Sequence, residues 1–376
     1  MNDDDQGLLE RRLTRQDVLK LAAAAGGIGL LGGHTSAAEA ALGRLTAESG
    51  RLQVLDWAGY GNDGGQSMFA QYDKKYPKNK AKFTVMANEA DALGKFQQGV
   101  NWDVFRPYVG WVKYFAESGL VQPWDTKLIS NFKHLNPLRV KAGQYKGKQY
   151  GIPEDWGFDA ILYRTDKVKP KARSWGLLFD ERYKGKIAWY DDASTMLPMT
   201  GLYLGFKDPW NQTDAQLKQA QKFLISKKHL ARTIWYSETA LWEAFGAGDI
   251  WIAYAWPNDW VQMKKKPKPG LPVVYMFPKE KPLAWIGMFM QLKGTQRPQL
   301  AHAYVDAWSS AASGKWLEDN YGYGHANLLA KPSSSDLLRA LKIDDPNALG
   351  PKNAYIDRHI PRRDIYAKVW SGVKDA

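Results

Sequence analysis

The chain has 376 residues, with 52 Lys and Arg against 39 Asp and Glu, six His and no Cys. That length exceeds the ~100–200 residues of one domain and implies two; 44% hydrophobic and 24% charged residues exclude bulk disorder. The lack of cysteine excludes a disulfide framework, a Cys-ligated zinc site, an iron–sulfur cluster and a thiol nucleophile. A formal charge of +13 invites anionic partners, and 17 Trp with 19 Tyr point to flat apolar or cationic ligands.

Residues 1–40 carry the three parts of an export signal. Arg11-Arg12 begin a basic stretch, an apolar Gly-rich run follows from Leu21 to Gly33, and small residues close it at Ala38-Glu39-Ala40. The run is shorter than the ~20 residues of a membrane-spanning helix. The paired arginines resemble a twin-arginine signal, with Thr14 where an apolar residue is usual. A disordered tail before a buried helix is the plain alternative. Removing the four basic and six acidic residues of this segment leaves +15. Export without cysteine fits the bacterial periplasm.

Beyond the signal, apolar runs and helical periodicity alternate. Short strands are expected at 51–57, 82–86, 103–105 and 151–153, with a helix at 66–76. A strand at 185–192 runs into Asp191-Asp192, and helical patterns follow at 213–227 and 237–247. Strands at 249–256, 273–277 and 284–292 precede a helix at 298–312. The Lys264–Pro269 run reads as a solvated loop. This alternation predicts an α/β architecture with largely parallel sheets, whose ligands sit beyond the carboxyl ends of strands.

Single motifs are weak. Gly59-Tyr60-Gly61-Asn62-Asp63-Gly64 matches a phosphate-cradling G-x-G-x-x-G, without a clear acidic residue downstream. No two His stand at metal-ligand spacing. Glu154-Asp155 and Asp191-Asp192 are candidate acid/base pairs, yet no nucleophile motif accompanies them. Basic residues are spread along the chain, unlike a nucleic-acid footprint.

The strand-end residues carry a resemblance. Trp57-Ala58-Gly59-Tyr60, Trp102-Asp103-Val104-Phe105-Arg106-Pro107 and Tyr150-Gly151-Ile152-Pro153-Glu154-Asp155-Trp156-Gly157 occur in order. Ser174-Trp175 and Tyr183-Lys184-Gly185-Lys186-Ile187 then lead to Asp191-Asp192-Ala193. Phe245-Gly246-Ala247-Gly248-Asp249 and Tyr323-Gly324-His325-Ala326-Asn327 follow. Over residues 51–330 the chain resembles the periplasmic spermidine/putrescine-binding (polyamine) receptors of ABC importers. The resemblance implies a type II, two-lobed periplasmic solute-binding protein fold, α/β, each lobe a mixed, mostly parallel sheet flanked by helices. It implies lobe 1 from 51–158 plus 284–323 and lobe 2 from 159–283 plus 324–376, closing on a ligand in the cleft.

It also implies a monomer that binds a small organic solute and delivers it to a membrane permease, with no cofactor, no metal, no nucleic acid and no chemistry on the ligand. An aromatic cage is expected from Trp57, Tyr60, Trp256, Trp285 and Tyr323, with Asp192 or its neighbour Asp191 pairing with an ammonium group. Three of the family's other acid positions fall at Gly59, Thr195 and Gly287. Glu154, Asp155, Asp259 and Asp63 lie where they would compensate. Alternatively Arg106, at a strand tip, clamps the carboxylate of an anionic or zwitterionic solute. A dinucleotide-dependent oxidoreductase using the Gly59–Gly64 loop is the rival of another class.

Overall fold

The structure is a computed structural model that describes residues 48–97, 102–265, 270–345, 348–350 and 352–376. The expected export signal, residues 1–40, lies outside the described residues. The strands in chain order are β1 (Gln53–Asp56), β2 (Lys82–Val85), β3 (Val104–Phe105), β4 (Val121–Gln122), β5 (Gln144–Tyr145) and β6 (Lys148–Gln149). After these come the long β7 (Gly151–Arg164), β8 (Ile187–Tyr190), β9 (Ala231–Trp235), β10 (Ile252–Ala255), β11 (Val273–Met276) and β12 (Leu283–Leu292). Two short strands, β13 (Gly324–His325) and β14 (Tyr355–Ile356), complete the set.

The chain divides into two compact units. Unit 1 holds the residues through Trp156, Ile286–Leu338 and 343–345; unit 2 holds Gly157–Trp285, Arg339–Lys342 and Ala348–Ala376. The chain passes from one to the other inside β7 and β12. The expected lobes place 324–338 in the second lobe, and the structure places them in unit 1. The reason is local pairing: Gly324 and His325 lie antiparallel to Trp156 and Asp155, and the Ala326 N–H donates to Glu154 O at 2.5 Å.

In unit 1, β1 lies between β2 and β3, parallel to both, and the far end of β12 runs antiparallel to β3. Val54, Leu55, Val104 and Phe105 are wholly buried, as strands covered on both faces require. In unit 2, β8 lies between β9 and β10, parallel to both, and β10 and β11 flank β7 antiparallel. The C-terminal helix Arg363–Asp375 packs on the helices Ala193–Tyr203 and Asp214–Lys227, burying Tyr366, Trp370 and Val373.

Several expectations change length. The tip at 151–153 is the start of a 14-residue strand, and the helix at 66–76 is a 3-10 turn at Gln66–Met68 before Ala70–Lys75. The helix at 298–312 ends at Trp308, and a second begins at Ala311. Lys264 and Lys265 end a helix, Pro257–Lys265, rather than opening a loop; residues 266–269 lie outside the described residues. Among the described residues no helix is long and apolar enough to cross a membrane.

Candidate functional site

In unit 1, β1, β3 and β7 converge on one guanidinium. Arg106 follows β3, Asp56 ends β1 and Asp155 lies on β7, all about 1% exposed. Arg106 Nε donates to Asp56 Oδ1 at 2.9 Å, and Nη1 lies 2.9 Å from Asp155 Oδ2. The Tyr60 hydroxyl donates to the same Asp155 oxygen at 2.7 Å, and its ring lies 3.5 Å from the guanidinium carbon. Burial raises the Asp56 carboxyl to about 6 against the opposing pull of Arg106. Unpaired burial of any of these charges would be costly, so the cluster holds together. Arg106, expected as a carboxylate clamp, is engaged by two carboxylates of its own unit.

The other expected acids of unit 1 also have internal partners. Glu154 is wholly buried; Ser309 Oγ donates to its Oε1 at 2.7 Å, and His325 Nε2 lies 3.3 Å from its Oε2. His325 Nδ1 accepts the Asn327 N–H at 3.0 Å, which leaves the ring proton on Nε2. Burial raises the Glu154 carboxyl and His325 opposes that rise. Asp63 accepts from Gly59 N at 2.7 Å and Gly61 N at 3.1 Å. The Gly59–Gly64 loop thus turns two of its N–H donors onto its own carboxylate.

Two of the glycine departures have steric causes. Gly59 has φ +83°, and a Cβ there would lie 3.3 Å from the Tyr321 hydroxyl. A Cβ on Gly287 would lie 2.0 Å from Asp155 Oδ1, so Asp155 fills the space a side chain there would need. Tyr60 and Tyr323 are buried in a ring cluster with Trp308 and Tyr321 rather than free-standing. Trp57 differs: it is half-buried, stacked on Tyr108 at 5.0 Å, with its indole N–H on Arg106 O at 2.9 Å. A cavity of about 360 Å³ opens beside it, lined by Asp56, Asp63, Lys82, Phe83 and Val85.

In unit 2, β8 and β10 run parallel, so their carboxyl ends emerge together. Asp191-Asp192 follow β8 and Trp256 follows β10. The two acids separate cleanly. Asp191 accepts the Trp370 indole N–H at 2.8 Å and pairs with Lys374 at 2.9 Å, so it anchors the C-terminal helix. Asp192 is the N-cap of helix Ala193–Tyr203, beside Thr195 and the Ser194 N–H, with its carboxyl raised by burial. Trp256 is half-buried, held edge-on by Tyr190 at 4.9 Å and Trp235 at 5.1 Å. Asp259 is wholly buried beneath it. It accepts the Trp256 N–H and the Trp242 indole N–H, each at 2.7 Å, and burial beside Glu238 raises both carboxyls. Asp259 therefore positions Trp256.

Two acids escaped the sequence reading. Asp159 lies on β7 next to Ala160, which pairs with Ala255, so it is level with Trp256. Asp357 follows β14; its N–H donates to Ala284 O at 2.7 Å and its carboxylate accepts the Trp210 indole N–H at 3.1 Å. Burial raises the Asp159 carboxyl to about 7 and the Asp357 carboxyl to about 6; the charge of Asp192 adds to both rises and that of Asp357 to the rise of Asp159, and Arg363 opposes that of Asp357. The signal for Asp159 was present: it is the one charged residue in the apolar stretch Trp156–Tyr163. Asp357 sits in a polar C-terminal stretch and had none.

Among the described residues no group of three or more His, Cys, Asp and Glu has the arrangement of a metal site. The chain is similar to the spermidine/putrescine-binding periplasmic protein 1 of Haemophilus influenzae, at 24% identity over 76% of this chain and 78% of that protein. A putative spermidine/putrescine ABC transporter protein from Listeria monocytogenes has the same fold, with TM-score 0.72 and 19% identity, covering 86% of this chain and 98% of that one. A periplasmic binding protein from A. tumefaciens B6, solved with glucopine, superposes with TM-score 0.69 and 16% identity over 86% and 99%. These are two-lobed solute-binding folds, and their relatives serve ABC importers as receptors rather than enzymes. The bacterial extracellular solute-binding protein family model matches residues 67–335, and the chain belongs to that family.

Proposed function

We propose that this protein is the receptor of an ABC importer for a polyamine-like organic cation. The twin-arginine-type signal at residues 1–40 carries it to the periplasm, and it hands its ligand unaltered to a membrane permease. The observation that supports this reading best is in unit 2, where half-buried Trp256, following β10, lies level with the buried carboxylate of Asp159 inside β7, and half-buried Asp192 follows the adjoining strand β8. An indole face attracts a cation by ~0.5–2 kcal/mol, and a desolvated ammonium needs a carboxylate partner as well. Trp285, buried, adds a second indole in unit 2. Titration calorimetry of the chain lacking residues 1–40 tests this: heat of binding with putrescine or spermidine is expected, and none at millimolar ligand overturns it.

A zwitterionic solute is the second reading. Arg363, near enough to Asp192 and Asp357 to oppose their rise, is a cation in unit 2 that would meet a ligand carboxylate. It predicts that Arg363→Met removes binding of an amino-acid-like ligand and leaves putrescine binding in place.

A further inference from the structure

We propose that Asp159 is the principal charge partner of the ligand's ammonium group, in a subsite walled by Trp256 and Trp285 and shared with Asp192 and Asp357. This rests on the cation-receptor reading and names the part of unit 2 that performs it. The backbone sets the arrangement. β7 and β10 put Asp159 level with Trp256, whose indole lies against its carboxyl. Trp285 lies on Gly157, where a Cβ would stand 2.6 Å from Trp285 Cζ2. Gly157 and Asp159 are two apart on one strand and share a face. The carboxyl thus lies against the Trp256 indole, on the strand face that Trp285 covers at Gly157.

The second observation is an unfinished polar pair. Asp159 is 7% exposed; its Oδ1 makes no hydrogen bond of good geometry, and the Tyr254 hydroxyl and Trp256 indole beside the carboxyl only partly oppose the rise that burial causes. A buried carboxylate oxygen left in that condition is destabilising unless something supplies a donor. An ammonium group supplies donors and charge together. The groups facing Asp159 are the Tyr254 and Tyr275 hydroxyls, Asp192 and Asp357; Arg363 faces the latter two. Three carboxylates against one guanidinium leave net negative charge for a cationic guest. Because burial holds the Asp159 carboxyl near 7, a cation that binds as its carboxylate partner displaces a proton.

Two measurements test this on the chain lacking residues 1–40. Calorimetry with putrescine at pH 6.5, in two buffers of different ionisation enthalpy, reads affinity and protons released. Asp159→Asn is expected to weaken binding roughly thirtyfold or more and to remove proton release. Asp357→Asn, a second variant, is expected to give a smaller loss. Unchanged affinity and proton release in both overturn the proposal. The other measurement needs no ligand: thermal unfolding at pH 5 and pH 8. Asp159→Asn is expected to raise Tm at pH 8 and leave pH 5 nearly unchanged, because it removes an acid whose ionised form the fold disfavours. A lowered Tm at pH 8 marks Asp159 as a satisfied structural acid and overturns the proposal. Absence of putrescine heat in the unmutated chain fails the polyamine reading alone, and the thermal measurement then decides the standing of Asp159.

Discussion

The two units treat buried acid in opposite ways. In unit 1, Asp56 and Asp155 close on Arg106, Glu154 on Ser309 and His325, and Asp103 on Thr295 and Arg297. In unit 2, Asp192 adds its charge to the rise of Asp159 and of Asp357, and Asp357 adds to that of Asp159, while Arg363 opposes the rise of Asp192 and Asp357. The same residue type therefore does two jobs. In the first unit it ties strands together; in the second it stores an electrostatic cost that a cation relieves. Stability and binding should consequently separate by unit when these residues are altered.

The largest expected effect tests the first half of that contrast. Arg106→Ala leaves Asp56 and Asp155 buried without their cation, and should cost about 3–5 kcal/mol of stability. Urea unfolding reads it, and a loss under 1 kcal/mol would contradict the structural role. Next comes Trp256→Ala, which removes an indole face worth ~0.5–2 kcal/mol to a cation. Putrescine affinity should fall about tenfold, and the urea midpoint should fall as well because the ring's packing on Tyr190 and Trp235 is lost. Binding as tight as in the unmutated chain would detach Trp256 from the site. A third change, Gly287→Ala, drives a methyl group into Asp155 Oδ1. The overpacking should cost about 1–3 kcal/mol, again without a direct effect on unit 2.

The pH dependence follows from the same comparison, with the sign set by linkage. Asp159 is raised to about 7 and Asp357 to about 6 from a usual value of 3.8. The folded chain then holds these protons after the unfolded chain has lost them. Their contribution to ligand-free stability is therefore fully present below about pH 4 and is lost as pH rises towards 7. Asp56, raised to about 6, adds to the same fall from unit 1. A Tm that climbs between pH 5 and 8 would mean that the carboxylates of unit 2 are better partnered than their surroundings suggest.

Much of the fold was readable because apolar runs mark buried strands whatever their partners. β1, β8, β10, β11 and β12 each have such a run. β7 was cut short in the reading because Pro153, Glu154, Asp155 and Gly157 imitate a loop. What makes them strand is information held elsewhere in the chain: Arg106 pairs with Asp155, and Ser309 and His325 meet the two oxygens of Glu154. The site shows the same limit. Trp256 and Asp192 follow strand ends and were visible as such. Nothing local distinguishes a committed carboxylate from an available one; that depends on donors some 50 to 180 residues away, as for Asp56 with Arg106 and Asp191 with Trp370. Arg106 looked like a ligand clamp for the same reason, since its two carboxylates come from other strands.

The smallest predicted effect is the sharpest discriminator between neighbours. Asp191 and Asp192 differ by one position, yet the chain turns between them from strand β8 to the cap of helix Ala193–Tyr203. Asp191 points to the C-terminal helix, where Trp370 and Lys374 meet it on a partly exposed surface. Its ion pair is solvent-screened, and its hydrogen bond to Trp370 carries most of the value. Asp191→Asn keeps an oxygen acceptor for that indole N–H and removes the charge. Stability should fall by no more than about 1 kcal/mol, and putrescine affinity should stay within twofold of the unmutated chain, roughly 0.4 kcal/mol. Asp192→Asn should reverse the pattern, weakening binding at little cost to the helix, since the side chain at that N-cap makes no capping hydrogen bond to lose. Equal losses of affinity in the two variants would mean that the local turn does not separate their roles, and that unit 2 attracts its cation by bulk negative charge rather than through one placed carboxylate.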